Sequence, residues 1–124
     1  MSGRIKVLIV DDHPLFRQGL RQVVEADQRF ELVGEAGDGK IALQLIVEKK
    51  PDIAVLDVNL PGLSGLEIAR RLQGKRSPTQ IVILTMYNEE ETFNRAVDFG
   101  VKGFVLKENA VEDILKSLVA VAAG

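Results

Sequence analysis

The sequence predicts an α/β fold, a doubly wound five-stranded parallel sheet covered by helices on both faces. Three observations predict it. Short apolar runs alternate five times with longer amphipathic segments. Most of the runs are rich in β-branched residues, as strands buried on both faces are. Right-handed crossovers between successive parallel strands then leave a doubly wound sheet as the natural solution.

Ile5 to Val10 (IKVLIV) reads as a buried first strand. Asp11, Asp12 and His13 follow, and Pro14 suits the first position of a helix. Leu15, Phe16, Leu20, Val23 and Val24 fall on one face of that helix. Phe30 to Ala36 is the second strand, ended by Gly37, Asp38 and Gly39. A second stripe, Ile41, Ala42, Leu45 and Ile46, runs toward Pro51, which ends the region. Ile53 to Leu56 is the third strand, with Asp57 at its C-terminal end. After the turn-rich loop Asn59 to Gly65, Ser64 caps a helix carrying Leu66, Ile68, Ala69 and Leu72. Gly74 to Gln80 connects to a fourth strand, Ile81 to Leu84, which ends at Thr85. Glu89 to Phe99 is a helix with an acidic first turn, stopped by Gly100. Gly103 to Leu106 is a short fifth strand ending at Lys107. Val111, Ile114, Leu115, Leu118 and Val119 form the last stripe, and Val121 to Gly124 is expected to fray.

The whole of 1–124 is thus expected to be one domain, without internal repeat or low-complexity tract. At 46% hydrophobic and 27% charged residues the composition is globular, not disordered. A net charge of −2 gives no chain-wide nucleic-acid footprint, so DNA binding would need a segment not present here. The chain has no cysteine, which excludes disulfides, thiolate nucleophiles and thiolate zinc sites, and fits a cytoplasmic location. One histidine excludes a multi-histidine metal site. The apolar run within Met1 to Val10 is too short for a signal peptide, and no stretch approaches the ~20 apolar residues of a membrane span.

The polar residues carry the functional signal. Asp11 and Asp12 end the first strand, Asp57 the third, Thr85 the fourth and Lys107 the fifth. In an open α/β sheet all of these lie on the carboxyl edge, where such folds bind ligands. Three carboxylates brought together repel one another, by roughly 4 kcal/mol for a pair ~4 Å apart at an effective dielectric near 20. A hard divalent cation relieves that repulsion. Oxygen-only ligands favour Mg²⁺, with Mn²⁺ or Ca²⁺ as alternatives. Lys107 adds a second positive charge and Thr85 a short hydroxyl donor. Metal, cation, donor and carboxylate nucleophile are the parts that stabilise a transferring phosphoryl group. Asp57, on the central strand, is the nucleophile of choice, and Asp11 and Asp12 are the metal holders. Asn59 would supply its backbone carbonyl to the metal and its side chain to the phosphoryl group or an attacking water. His13 is expected to cap a helix or face solvent, and Arg70 and Arg71 to face solvent.

These residues resemble the receiver domain of two-component response regulators. The resemblance runs from about Ile5 to Val121 through LIVDDHPLFRQGL, VLDVNLPGLSGLE, VILTMYN and GVKGFVLK, each motif at a strand end. The DDHP start and the KGFVLKE ending are most similar to the NarL/FixJ (LuxR-type) subfamily. The resemblance implies a flavodoxin-like strand order of 2-1-3-4-5. It implies that Asp57 takes phosphate from a sensor histidine kinase, and that the domain precedes a C-terminal DNA-binding domain not present in this chain. Asp12 and Asp57 would bind Mg²⁺ directly and Asp11 through water. Thr85 and Phe104 would form a coupled switch pair, Tyr87 and Asn59 would tune phosphate lifetime, and a homodimer is a further expectation. The chain departs from many receivers in having Glu108, not proline, after Lys107.

Rival readings are weaker. A haloacid-dehalogenase-type phosphatase needs a second aspartate where Asn59 stands. A flavin module needs a phosphate-friendly loop where Asp11 and Asp12 place negative charge. An unphosphorylated pseudo-receiver, acting only as an interaction module, is the alternative that the same residues leave open. The chain is not expected to be a metabolic enzyme; it would promote only its own phosphorylation and dephosphorylation.

Overall fold

Five parallel strands in the order β2-β1-β3-β4-β5 form the centre of the molecule. The structure is a computed structural model and describes residues 3–124; Met1 and Ser2, the start of the N-terminal run that is too short for a signal peptide, lie outside the described residues. In chain order the elements are β1 (Ile5–Val10), α1 (Pro14–Glu25), β2 (Phe30–Ala36), α2 (Gly39–Lys49), β3 (Ile53–Asp57), α3 (Gly65–Gly74), β4 (Gln80–Thr85), α4 (Glu90–Asp98), β5 (Gly103–Leu106) and α5 (Ala110–Ala123), with a single 3₁₀ turn at Lys107–Asn109. This is the flavodoxin-like order that the family resemblance implied.

Strand periodicity sorts the core into two layers. Val7, Ile9, Ile53, Val55, Val82 and Leu84 point to one face, where Leu20 and Val24 of α1 and Ile114 and Leu118 of α5 cover them. Leu8, Val10, Ala54, Leu56, Ile81 and Ile83 point to the other, under Ala42 and Ile46 of α2 and Ile68, Ala69 and Leu72 of α3. Nearly every apolar residue of the three inner strands is therefore buried, which is why those runs look uniformly hydrophobic in the sequence. The β1–β2 register slips by one residue, with Val7 opposite Leu32 and Leu8 opposite Gly34.

Local chemistry sets the helix starts. Pro14 opens α1. Asp38 caps α2 by accepting from the Lys40 and Ile41 amides, and the Ser64 hydroxyl caps α3 by accepting from the Glu67 amide. Gly100 ends α4 with φ of +78°, a conformation that costs glycine little.

Some expectations are corrected. α5 does not fray at Val121: the helix continues to Ala123, and Val121 is buried against the α1–α5 layer. Packing, which local pattern cannot register, ties down this last turn. Leu15, Ile41, Val111 and Val119 lie on the exposed flank of their stripes, Leu15 at 85% exposure. The connector after α3 is shorter than the sequence suggested, because Gly74 ends the helix and Gln80 begins β4. The Lys107–Glu108 bond is trans, like every other peptide bond among the described residues.

Candidate functional site

The carboxyl edge of the sheet collects the predicted side chains. Asp11 follows β1 and keeps its place in the sheet, its amide donating to Ala36 O at 3.0 Å. The Arg17 guanidinium, one turn into α1, donates to the Asp11 carbonyl at 2.6 Å and to Glu35 Oε1 at 3.2 Å, which ties the β1–α1 turn to the end of β2. Asp57 closes β3 and is only 3% exposed. The Asn59 amide donates to its Oδ1 at 3.0 Å. Gly65 is needed just behind it, since a Cβ there would overlap the Asp57 carbonyl oxygen.

Lys107 spans the site from the end of β5. Its Nζ donates to Asp57 Oδ2 at 3.1 Å and lies 2.7 Å from Asp11 Oδ2. The second contact is an ion pair without hydrogen-bond geometry, so the buried Asp11 Oδ2 keeps an unused acceptor. Asp12 is the outer, partly exposed member of the acidic pair. Asp11, Asp12, His13 and Asp57 each present a ligand atom within 4.8 Å of the others. This acidic cluster, with its hard oxygen donors, fits a divalent metal ion.

The electrostatics follow from burial. Loss of solvation pushes the Asp57 carboxyl above the ordinary carboxylate range; the Asn59 amide and Lys107 pull it down, and the Asp11 charge pushes it further up. For Lys107 burial favours the neutral amine, but the contacts with the Asp11 and Asp57 carboxylates outweigh it and raise the ammonium above its usual value.

The remaining predicted residues are placed differently. Thr85 is buried at the end of β4, but its hydroxyl is engaged in a turn, donating to Tyr87 O at 3.1 Å and accepting from the Tyr87 amide at 3.3 Å. The Tyr87 ring is exposed. Phe104 on β5 packs edge-to-face against Phe93 of α4, with ring centroids 5.3 Å apart. His13 sits at the N-cap of α1 and is largely exposed, yet its side chain does not cap the helix. Instead Nδ1 lies 3.1 Å from carboxylate oxygens of both Asp11 and Asp12 and 3.2 Å from Lys107 Nζ. Sequence reasoning placed His13 at the right position and missed this approach. Its presence beside Asp11 and Asp12 was the available signal.

Residues 7–119 match the family model for the response regulator receiver domain. The chain belongs to this family. Receiver domains with this strand order form a signalling module, and the relatives of this one are of the NarL/LuxR type. The transcriptional regulatory protein YdfI of Bacillus subtilis is 39% identical over 119 residues, 96% of this chain and 55% of the relative. The nitrate/nitrite response regulator protein NarL of Escherichia coli K12 is 37% identical over 118 residues, 95% of this chain and 55% of the relative. The chain thus spans about half the length of these curated relatives. Among solved structures, the signal receiver domain of a NarL from Mycobacterium tuberculosis superposes with a TM-score of 0.93 at 34% identity, covering 98% of each chain. The non-phosphorylated receiver domain of the stress response regulator RcsB from Escherichia coli gives 0.88 at 29% identity, covering 98% of this chain and 95% of the other. No helix among the described residues is long and apolar enough to cross a membrane.

Proposed function

We propose that Asp57 is the phosphoacceptor of a two-component phosphorelay. The observation that carries this is the buried Asp57 carboxylate at the sheet's carboxyl edge, with Lys107 Nζ 3.1 Å from Oδ2 and the Asp11–Asp12 pair alongside. A carboxylate oxygen of Asp57 attacks the phosphorus of a phosphohistidine on a sensor kinase. An O–P bond forms, the N–P bond breaks, and its electron pair stays on the departing imidazole nitrogen. Lys107 donates to the transferring phosphoryl oxygens and offsets their charge. The Asn59 amide holds Asp57 Oδ1 and so fixes the orientation of the carboxylate.

The residues that would hold Mg²⁺, with Mn²⁺ as an alternative, are Asp12, Asp57, the Asn59 backbone carbonyl and, through water, Asp11. When bound, the ion supplies positive charge to the phosphoryl oxygens. Thr85 would leave its turn with Tyr87 to donate to the phosphoryl group, and Phe104 would move into the space released. That population shift remodels the face formed by α4, β5 and α5. Asn59 and Tyr87 would tune the lifetime of the acyl phosphate, whose hydrolysis is the only other reaction assigned to the domain. The relatives' names as transcriptional and response regulators, and their length beyond the part matched here, support a regulator in which this domain controls an attached effector; we propose that it acts in the cytoplasm, that the effector binds DNA and that homodimerisation is a further step.

Intact mass after incubation with Mg²⁺ and a small phosphodonor tests this reading. One phosphoryl group is expected on the native chain, none on Asp57→Asn, and none in EDTA. A native chain that stays unmodified even with its cognate kinase refutes the acceptor role and leaves a pseudo-receiver.

A further inference from the structure

Lys107 bridges the two buried carboxylates, and four groups surround its ammonium. Three are polar: Asp11 Oδ2 at 2.7 Å, Asp57 Oδ2 at 3.1 Å and His13 Nδ1 at 3.2 Å. The fourth is the ring of Phe16, whose centroid lies 4.6 Å from Nζ. That distance is well inside the ~6 Å at which an aromatic face attracts a cation. The Lys107 side chain is only 10% exposed, so water competes poorly for it.

Phe16 is anchored to do this. It lies in the first turn of α1 and packs against the core layer under α1 and α5. A cavity of about 540 Å³, lined by His13, Leu15, Phe16, Met86, Lys107 and Glu108, opens beside it. Lys107 and Glu108 both line this cavity, so it borders the ammonium on the side away from the carboxylates. Asp11 and Asp57 are also the groups a bound cation or a phosphoryl group would engage. The ion pairs of Lys107 are therefore the ties that weaken as the site is used. The ring contact involves neither carboxylate.

We propose that Phe16 is a positioning residue that keeps the Lys107 ammonium in the site while its carboxylate partners are engaged elsewhere. The inference rests on the reading of Lys107 as the phosphoryl-stabilising cation. A leucine at this position would fill the apolar contact but would offer no negative ring face.

The test replaces Phe16 in the full chain by 4-fluoro-, 3,5-difluoro- and 3,4,5-trifluorophenylalanine. This series nearly preserves shape and progressively weakens the ring's attraction for a cation. Two readouts are followed: the rate of reductive methylation of Lys107, by peptide mass spectrometry without Mg²⁺, and the initial rate of Asp57 phosphorylation with acetyl phosphate and Mg²⁺. Lys107 methylation is expected to rise stepwise, and phosphorylation to fall stepwise, each by about threefold to tenfold at the trifluoro variant. Phe16→Tyr should match the native chain and Phe16→Leu the trifluoro variant, while a Lys107→Met background should flatten the phosphorylation series. A flat methylation series overturns the contact. A sloping methylation series with flat phosphorylation overturns its role in transfer. A native chain that takes up no phosphoryl group refutes the functional reading instead, and the methylation series still decides whether Phe16 holds Lys107.

Discussion

Neutralising Asp57 is expected to make the metal-free protein more stable. The perturbation is Asp57→Asn, nearly isosteric and still able to accept from the Asn59 amide. Ligand atoms of Asp11, Asp12 and Asp57 lie within 4.8 Å of one another. A pair of unit charges at that distance repels by about 3.5 kcal/mol at an effective dielectric near 20, less for the partly exposed Asp12. Lys107, 3.1 Å from Asp57 Oδ2, returns about 5 kcal/mol on the same scale. Coulomb interactions with Asp57 therefore nearly cancel, and the cost of burying its charge decides the sign, as its raised pKa indicates. A net gain of about 1–3 kcal/mol is expected for Asp57→Asn, or a rise in Tm of about 3–15 °C for a domain of this size. Because the folded-state pKa is raised, the neutral carboxyl contributes stability fully present below the unfolded carboxylate pKa. That stability is lost as pH rises through the raised folded value. The advantage of Asp57→Asn should therefore be small in acid and full at pH 7. The assay is urea and thermal unfolding in EDTA, repeated with Mg²⁺, where the native chain should recover ground by binding the ion. A variant less stable than the native chain in EDTA at pH 7 would refute the reasoning, because Lys107 would then outweigh burial.

Three further outcomes are expected. Gly65→Ala should cost about 2–3 kcal/mol in urea unfolding and slow phosphorylation, since its Cβ would displace the Asp57 carbonyl from the end of β3. Phe93→Leu and Phe104→Leu, combined in a double-mutant cycle, should show a coupling of about 1 kcal/mol, and additive losses would disprove the edge-to-face contact. Glu67, held down to about 2 by hydrogen bonds from Arg70 and then Arg71, should titrate by NMR far below its ordinary value of 4.5. Its contribution to stability should be present above that ordinary value and vanish as pH falls through about 2, and Arg70→Ala together with Arg71→Ala should return it to normal.

The sheet and the address of the site were legible in the sequence for one reason. Parallel strands buried on both faces are apolar throughout, so the first polar residue after each run marks the sheet edge. Asp11, Asp57, Thr85 and Lys107 could be placed that way without knowing any contact. What escaped depends on contacts between distant segments. His13 and Lys107 are 94 residues apart, and no local pattern brings the imidazole against the ammonium. The Thr85 hydroxyl reads as a free donor in sequence, yet the backbone bend to Tyr87 occupies it. Leu15 matches the helical stripe by spacing and lies outside it by packing, exposed at the rim of the cavity that Phe16 and Lys107 also line. The end of α5 is held by burial of Val121, not by any capping side chain.

The Lys107 bridge also fixes a charge stoichiometry. Three aspartates against one ammonium leave the site two negative charges, the amount a divalent ion cancels. Valence, as well as ionic radius, thus becomes a criterion for entry: a monovalent ion leaves the site acidic, and a trivalent one overshoots it. Were Asp57 to carry a phosphoryl group, as proposed for it, the site would be more negative by up to about one charge. The same trivalent ion would then be matched, so lanthanide affinity should report on the state of Asp57 without any label on the chain.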